Sequence, residues 1–154
     1  GYAALAGAAF TPELYACAVS VNGVSDLPMM LNDVETLVGD DSDAVLYSLD
    51  HIGSKSDQKI AEKSPARAAA AIKAPVMLIH GADDIVVPIS HSRKMHDALT
   101  ELARPVKFVK LVGEDHWLSR SETRVRMLTE LESFLDAHLA APAAASAAPT
   151  EASR

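Results

Sequence analysis

The stretch Ala74–Pro88, APVMLIHGADDIVVP, decides the fold. Pro75 to Ile79 are apolar without a break, the pattern of a strand covered on both faces and hence of a parallel sheet between helices. The run stops at His80-Gly81, and two carboxylates, Asp83 and Asp84, follow at once. Carboxylates just past a buried strand are costly unless they are partnered. In open α/β sheets, ligands and chemistry gather beyond the C-terminal strand ends. A second strand lies in Val106–His116, VKFVKLVGEDH, and ends in a glycine turn and a histidine. One strand end offers Asp and the other His, two of the three parts of an acyl-transfer triad.

The flanking sequence alternates in the same way. Tyr2 to Phe10 reads as a small-residue helix able to pack closely on a sheet, and Thr11-Pro12 as an N-cap and first helical position. Ala16 to Val21 is a third buried strand, ended by Asn22-Gly23, and Leu27 to Leu37 is a helix. Val38 to Lys63 is the least regular stretch, with a helical piece over Ala44–Leu49 and a loop at Gly53–Ser56. Ser64-Pro65 starts a short helix ending near Ile72. Ser90–Leu102 has helical spacing at Met95, Leu99 and Leu102, and Ser119 is expected to cap a long helix through Leu139. From Ala140 an Ala/Pro/Ser tract offers nothing to bury and is expected to be a disordered tail.

Strands alternating with helices predict an α/β fold, a mostly parallel sheet with helices on both faces. Three strands alone would leave an exposed edge and uncovered apolar faces. The 154 residues therefore read as the C-terminal half of a larger sheet over 1–139, followed by the tail over 140–154. Position 1 reads as a cut, because the chain is already apolar by Ala3. The expected partner is an N-terminal part of the same protein or a second copy.

Composition narrows the function. A formal net charge of −7 argues against a nucleic-acid partner and a basic membrane face. No apolar run approaches the roughly 20 residues of a membrane span. Cys17, the single cysteine, excludes an internal disulfide and reads as a buried, inert thiol. It fits a reducing cytoplasm, which is favoured, with a periplasmic site left open. His80, Asp83, Asp84, Asp115 and His116 are the types that bind divalent ions, but no H-x-x-x-H or H-x-x-E-H pairing gathers them, and no metal or cofactor is expected.

Three segments, GYAALAGAAFTPELYACAVSVNGVSDL, SPARAAAAIKAPVMLIHGADDIVVP and GEDHW, in this order and spacing, resemble the end of the catalytic domain of the prolyl oligopeptidase family, in particular its acylaminoacyl-peptidase and dipeptidyl-peptidase-like members. The resemblance implies the C-terminal portion of an α/β-hydrolase fold and serine-type hydrolysis of peptide bonds in short or N-blocked peptides, without a cofactor. It assigns Asp83, the first Asp after His-Gly, as the acid that orients the histidine, and His116 as the general base. Asp84 is read as structural or solvated, and His80 as bonded to backbone. Gly1-Tyr2 look like the end of a G-x-S-x-G-G-Y elbow, which would set the nucleophilic serine before residue 1. No G-x-S-x-G occurs in the chain, and neither Ser25 nor Ser54 has the glycine frame of a nucleophile elbow. Substrate contacts are expected from Val86, Ser25, Met29 and Trp117. The alternatives are a carboxylesterase or other acyl hydrolase of the same fold, and a non-catalytic interaction module derived from one.

Overall fold

The computed structural model describes residues 1–139, so the tail expected from Ala140 lies outside the described residues. In chain order the elements are α1 (Tyr2–Phe10), β1 (Ala18–Val21), α2 (Leu27–Val38), α3 (Asp43–Ile52), α4 (Gln58–Glu62), β2 (Val76–Gly81), α5 (Ser90–Glu101), β3 (Val106–Leu111) and α6 (Ser121–Leu139). β2 is central. It pairs in parallel with β1, Ile79 opposite Val21, and with β3, Ile79 opposite Val109. All three C-terminal strand ends therefore share one edge of the sheet.

The unbroken apolar run of β2 is explained by its surroundings, since every residue of the strand is buried. Val76 and Leu78 face a core built with Leu5 and Ala8 of α1, Ile72, and Met95 and Leu99 of α5. Met77 and Ile79 face the other way, onto Val109, Leu111, Leu118 and Phe134 of α6. Helices thus cover both faces, and the strand's period of two sorts its side chains between two cores. The alanines of α1 permit that helix to lie directly against β1 and the Ala69–Ala71 turn.

Several local expectations need correction. Thr11 closes α1 rather than opening a helix: its amide and its hydroxyl both donate to Gly7 O, each at 2.9 Å. β1 begins at Ala18, and Cys17 is only partly buried, at the margin of the α6-side core. Ser64-Pro65 leads into turns and one 3-10 turn over Ala69–Ala71, not a continuous helix. The short helix α4, capped by the Asp57 carboxylate on Lys59 N, was not foreseen. Ser119 does not cap α6. The carboxylate of Glu114 does so from the preceding loop, accepting from Arg120 N at 3.0 Å and from the Thr123 hydroxyl. Along α6, Val125 and Leu128 are exposed, and Phe134 is its one buried residue among the described ones. No helix among the described residues is long and apolar enough to cross a membrane.

Candidate active site

The loops beyond β2 and β3 meet at the shared edge. A Cβ on Gly81 would stand 2.5 Å from Asp115 O and 2.6 Å from Glu114 O, so glycine at this position lets the backbone after β3 lie directly over the end of β2. Two backbone bonds hold the overlap, Ala82 N to Leu111 O at 2.8 Å and Asp83 N to Glu114 O at 2.9 Å. The turn at Gly113, with φ +77°, then swings the chain back towards β2.

His116 donates from Nδ1 to Asp84 Oδ2 at 2.8 Å. The acid beside the histidine is therefore Asp84, and the expectation for Asp83 is corrected on geometry. The Asp83 backbone is held against the loop after β3 while its side chain is exposed to solvent. Asp84 turns inward, with no accessible side-chain surface. Its Oδ1 accepts from Val86 N and Val87 N, both at 2.9 Å, a side-chain-to-backbone turn that Asp favours. Each oxygen of this buried carboxylate is thus satisfied.

Behind Asp84 lies His80, fully buried. Its Nε2 donates to Val87 O at 2.8 Å and stands 3.4 Å from Asp84 Oδ2, and its Nδ1 accepts from the Ser92 hydroxyl at 2.7 Å. This assignment of the ring proton follows from the partners. Burial pushes the His80 imidazole below its ordinary range, with Val87 O and the Asp84 charge opposing, so the ring is neutral at pH 7. The expectation that His80 bonds the backbone holds. Ser92, His80 and Asp84 form a string of triad residue types, but all three side chains are sealed from solvent.

The His116 ring, by contrast, is one-third exposed, and its Nε2 carries no hydrogen bond among the described residues. Trp117, 67% exposed, stands edge-on to it at 5.9 Å between ring centroids. Val86 is also exposed, on the turn that Asp84 organises. The pair can therefore accept a proton at Nε2 from an outside group while Asp84 stabilises the resulting imidazolium. No cluster of three potential metal ligands exists among the described residues.

Ser25 does not belong to this surface. It is fully buried; its hydroxyl donates to His91 O at 2.7 Å and its amide to His91 Nδ1 at 3.2 Å. The expectation that it meets substrate is overturned by that enclosure. Met29 is half-buried on α2. A cavity of about 440 Å³ is lined by Tyr2, Val24, Leu27, Met30 and Ile52, with His51 and Lys63 at the polar side. Met30, three residues after Leu27, shares its helix face, whereas Met29, two residues after, turns away. Asp26 fixes this helix start. Its carboxylate caps Met29 N at 3.0 Å and takes Arg67 Nε at 2.8 Å and Lys94 Nζ at 2.7 Å. Burial alone would raise its pKa, but the bonds from Arg67 and Lys94 outweigh it and hold the group down to about 2.

Gly1 touches the same edge. A Cβ there would meet Gly23 Cα at 2.2 Å and Val21 O at 2.6 Å. The chain thus enters α1 across the end of β1, beside the loop that carries His116.

Comparison with known proteins gives the family and the fold. Residues 1–142 match the sequence model of the prolyl oligopeptidase family, Peptidase S9. The dipeptidyl aminopeptidase BIII of Pseudoxanthomonas mexicana is 29% identical over 136 residues, 88% of this chain and 20% of that protein. The uncharacterized peptidase YuxL of Bacillus subtilis is 27% identical over 124 residues, 79% of this chain and 17% of that protein. Among solved structures, the acylaminoacyl peptidase of Pyrococcus horikoshii superposes with a TM-score of 0.77 at 19% identity, over 90% of this chain and 22% of that one. The chain spans about a fifth of the length of the relatives it matches, and its fold is the α/β-hydrolase fold of these peptidases.

Proposed function

The chain belongs to the prolyl oligopeptidase family, and from that premise we propose that it carries the acid and base of a serine peptidase, Asp84 and His116, with the nucleophile supplied by sequence preceding Gly1. The observation that carries this reading is the 2.8 Å bond from His116 Nδ1 to a fully buried Asp84, at the strand edge where Nε2 remains accessible. The contact of Gly1 with the end of β1 supports the source of the serine, since a residue a few positions earlier would approach the same edge.

In the proposed reaction His116 Nε2 takes the serine proton as Oγ attacks the peptide carbonyl. It returns that proton to the leaving amine, and water resolves the acyl-enzyme by the same route. Asp84 keeps the imidazole in its Nδ1–H tautomer and stabilises the imidazolium. The cavity of Tyr2, Val24, Leu27, Met30 and Ile52 suits an apolar side chain of the substrate. The names of the relatives, a dipeptidyl aminopeptidase and an acylaminoacyl peptidase, support short or N-blocked peptides as substrates. The half-buried β1 residues Val19 and Val21 support completion of the sheet by an N-terminal part or a second copy.

Reading the coding sequence upstream of Gly1 tests the proposal. A frame ending in G-x-S-x-G is expected, and a stop codon or an unrelated frame there would overturn it. Assay of the protein with that upstream sequence on matched amide and ester substrates is expected to show amide hydrolysis. Ester hydrolysis alone would make it a carboxylesterase, and neither activity would leave an interaction module.

A further inference from the structure

We propose that Asn22 is a positioning residue for His116, fixing the base loop to the sheet so that the imidazole stays aligned on Asp84. The proposal rests on reading Asp84 and His116 as the acid and base. Asn22 immediately follows β1, is 7% exposed, and sits at φ +46°, a left-handed conformation that Asn tolerates better than most residues. Its amide donates to Ile79 O at 2.9 Å, extending the β1–β2 ladder by one bond. Its side chain then divides between two further elements. Oδ1 accepts from Gly81 N at 3.0 Å, at the last residue of β2, and Nδ2 donates to His116 O at 2.9 Å, in the loop after β3.

One primary amide therefore joins the ends of β1 and β2 to the residue that bears the base. Among the described residues, this is the one hydrogen bond to the backbone of His116. The neighbouring tie to the sheet, Asp83 N to Glu114 O, acts two residues earlier, and the bond from Trp117 N to Asp115 Oδ1 at 2.9 Å stays within the loop, so Asn22 is what joins the His116 peptide to the strand ends. The site requires one donor and one acceptor at a fixed separation, which Asn provides and Asp, acceptor only when ionised, does not. A shift of about 1 Å in a base can cost on the order of a hundredfold in turnover.

The test uses the full-length protein with whatever sequence precedes Gly1. Asn22→Asp keeps the shape and the bond from Gly81 but removes the donor to His116 O. We expect kcat to fall about ten- to a hundredfold with KM within about threefold. The low-field Nδ1 proton resonance of His116 should broaden or vanish in the same variant. Unchanged kcat and an intact resonance, with only a lowered melting temperature, would overturn the positioning role. Asn22→Gly accommodates φ +46° and removes both side-chain bonds; it carries the same expectation if the aspartate variant fails to fold. Asp84→Ala and His116→Ala, assayed alongside, separate the two readings. If they abolish turnover and the Asn22 variants do not, the Asn22 proposal alone fails. If turnover survives them, the acid–base assignment fails and the Asn22 proposal falls with it.

Discussion

His116 donates Nδ1–H to Asp84, not to Asp83, although the two carboxylates are adjacent in the chain. The turn after β2 resolves the choice. The Asp83 amide is bonded to Glu114 O, which directs its side chain to solvent, and the next residue turns inward onto two backbone amides and the imidazole. Asp84→Asn in the full-length protein is therefore expected to lower kcat by about 10⁴, because the amide cannot hold the same imidazole tautomer or stabilise its cation. Asp83→Asn should stay within about threefold of the parent. Steady-state kinetics on a peptide anilide decides between them, and the reverse ranking would restore Asp83 as the acid.

The α/β architecture was legible because β2 has no polar residue between Pro75 and Ile79 and because the chain alternates strands with helices. The histidine was legible from its place just past a strand and a glycine turn. The acid was not, since spacing places both Asp83 and Asp84 at the strand end while only local backbone geometry chooses the one that faces inward. In the structure that geometry is the bonding of the Asp84 carboxylate to the amides of Val86 and Val87. Ser25 misled for a related reason, because a hydroxyl near a strand end says nothing of its burial. Asn22 was read only as a strand terminator. Its bonds join segments about 60 and 94 residues away, and no local pattern reports them. Glu114 likewise reaches forward to cap α6, although Ser119 stands closer in the chain.

Acid should weaken the fold through two buried histidines. Burial lowers the pKa of His80, and also that of His91, whose Nε2 faces Asp33 Oδ2 at 3.1 Å with Asp26 nearby. The attraction of Asp33 opposes the effect of burial at His91 without reversing it. Below the ordinary value of 6.5 the unfolded chain binds protons that the folded chain refuses. Stability therefore falls as pH drops from 6.5 towards the lowered folded values, by at most about 1.4 kcal/mol per pH unit for each histidine. Urea midpoints at pH 7.5, 6.5 and 5.5 measure the slope, and His80→Gln should reduce it. A flat profile over that range would contradict the neutral, buried state of both rings.

Gly81→Ala tests the overlap of the two loops. The new Cβ would meet two backbone carbonyl oxygens at 2.5 and 2.6 Å, neither of which can rotate away as a side chain would. The loop carrying His116 must lift, and the bonds from Asn22 and to Asp84 must lengthen with it. We expect a stability loss of about 1–3 kcal/mol, typical of overpacking, and a fall in kcat of at least about a hundredfold. Parallel denaturation and kinetics check both values. A variant with parent-like turnover would show that the loop's height over β2 does not matter to the reaction.

Two serines approach histidines inside the fold, and neither is disposed to be a nucleophile. The Ser25 hydroxyl donates to the backbone carbonyl of His91, so the ring beside it cannot take its proton. The Ser92 hydroxyl does donate to a ring, His80 Nδ1, but both side chains are buried and His80 Nε2 is committed to Val87 O. A fluorophosphonate probe should therefore leave residues 1–154 unlabelled when the chain is prepared alone, and should label a serine before Gly1 when the upstream sequence is present. Ser92→Ala should preserve that labelling while costing about 1–3 kcal/mol of stability, because the buried His80 Nδ1 loses its donor. Intact-mass spectrometry with peptide mapping reads both results. An adduct on Ser92 or Ser25 of the chain alone would place the nucleophile within this fold and overturn its assignment to sequence before Gly1.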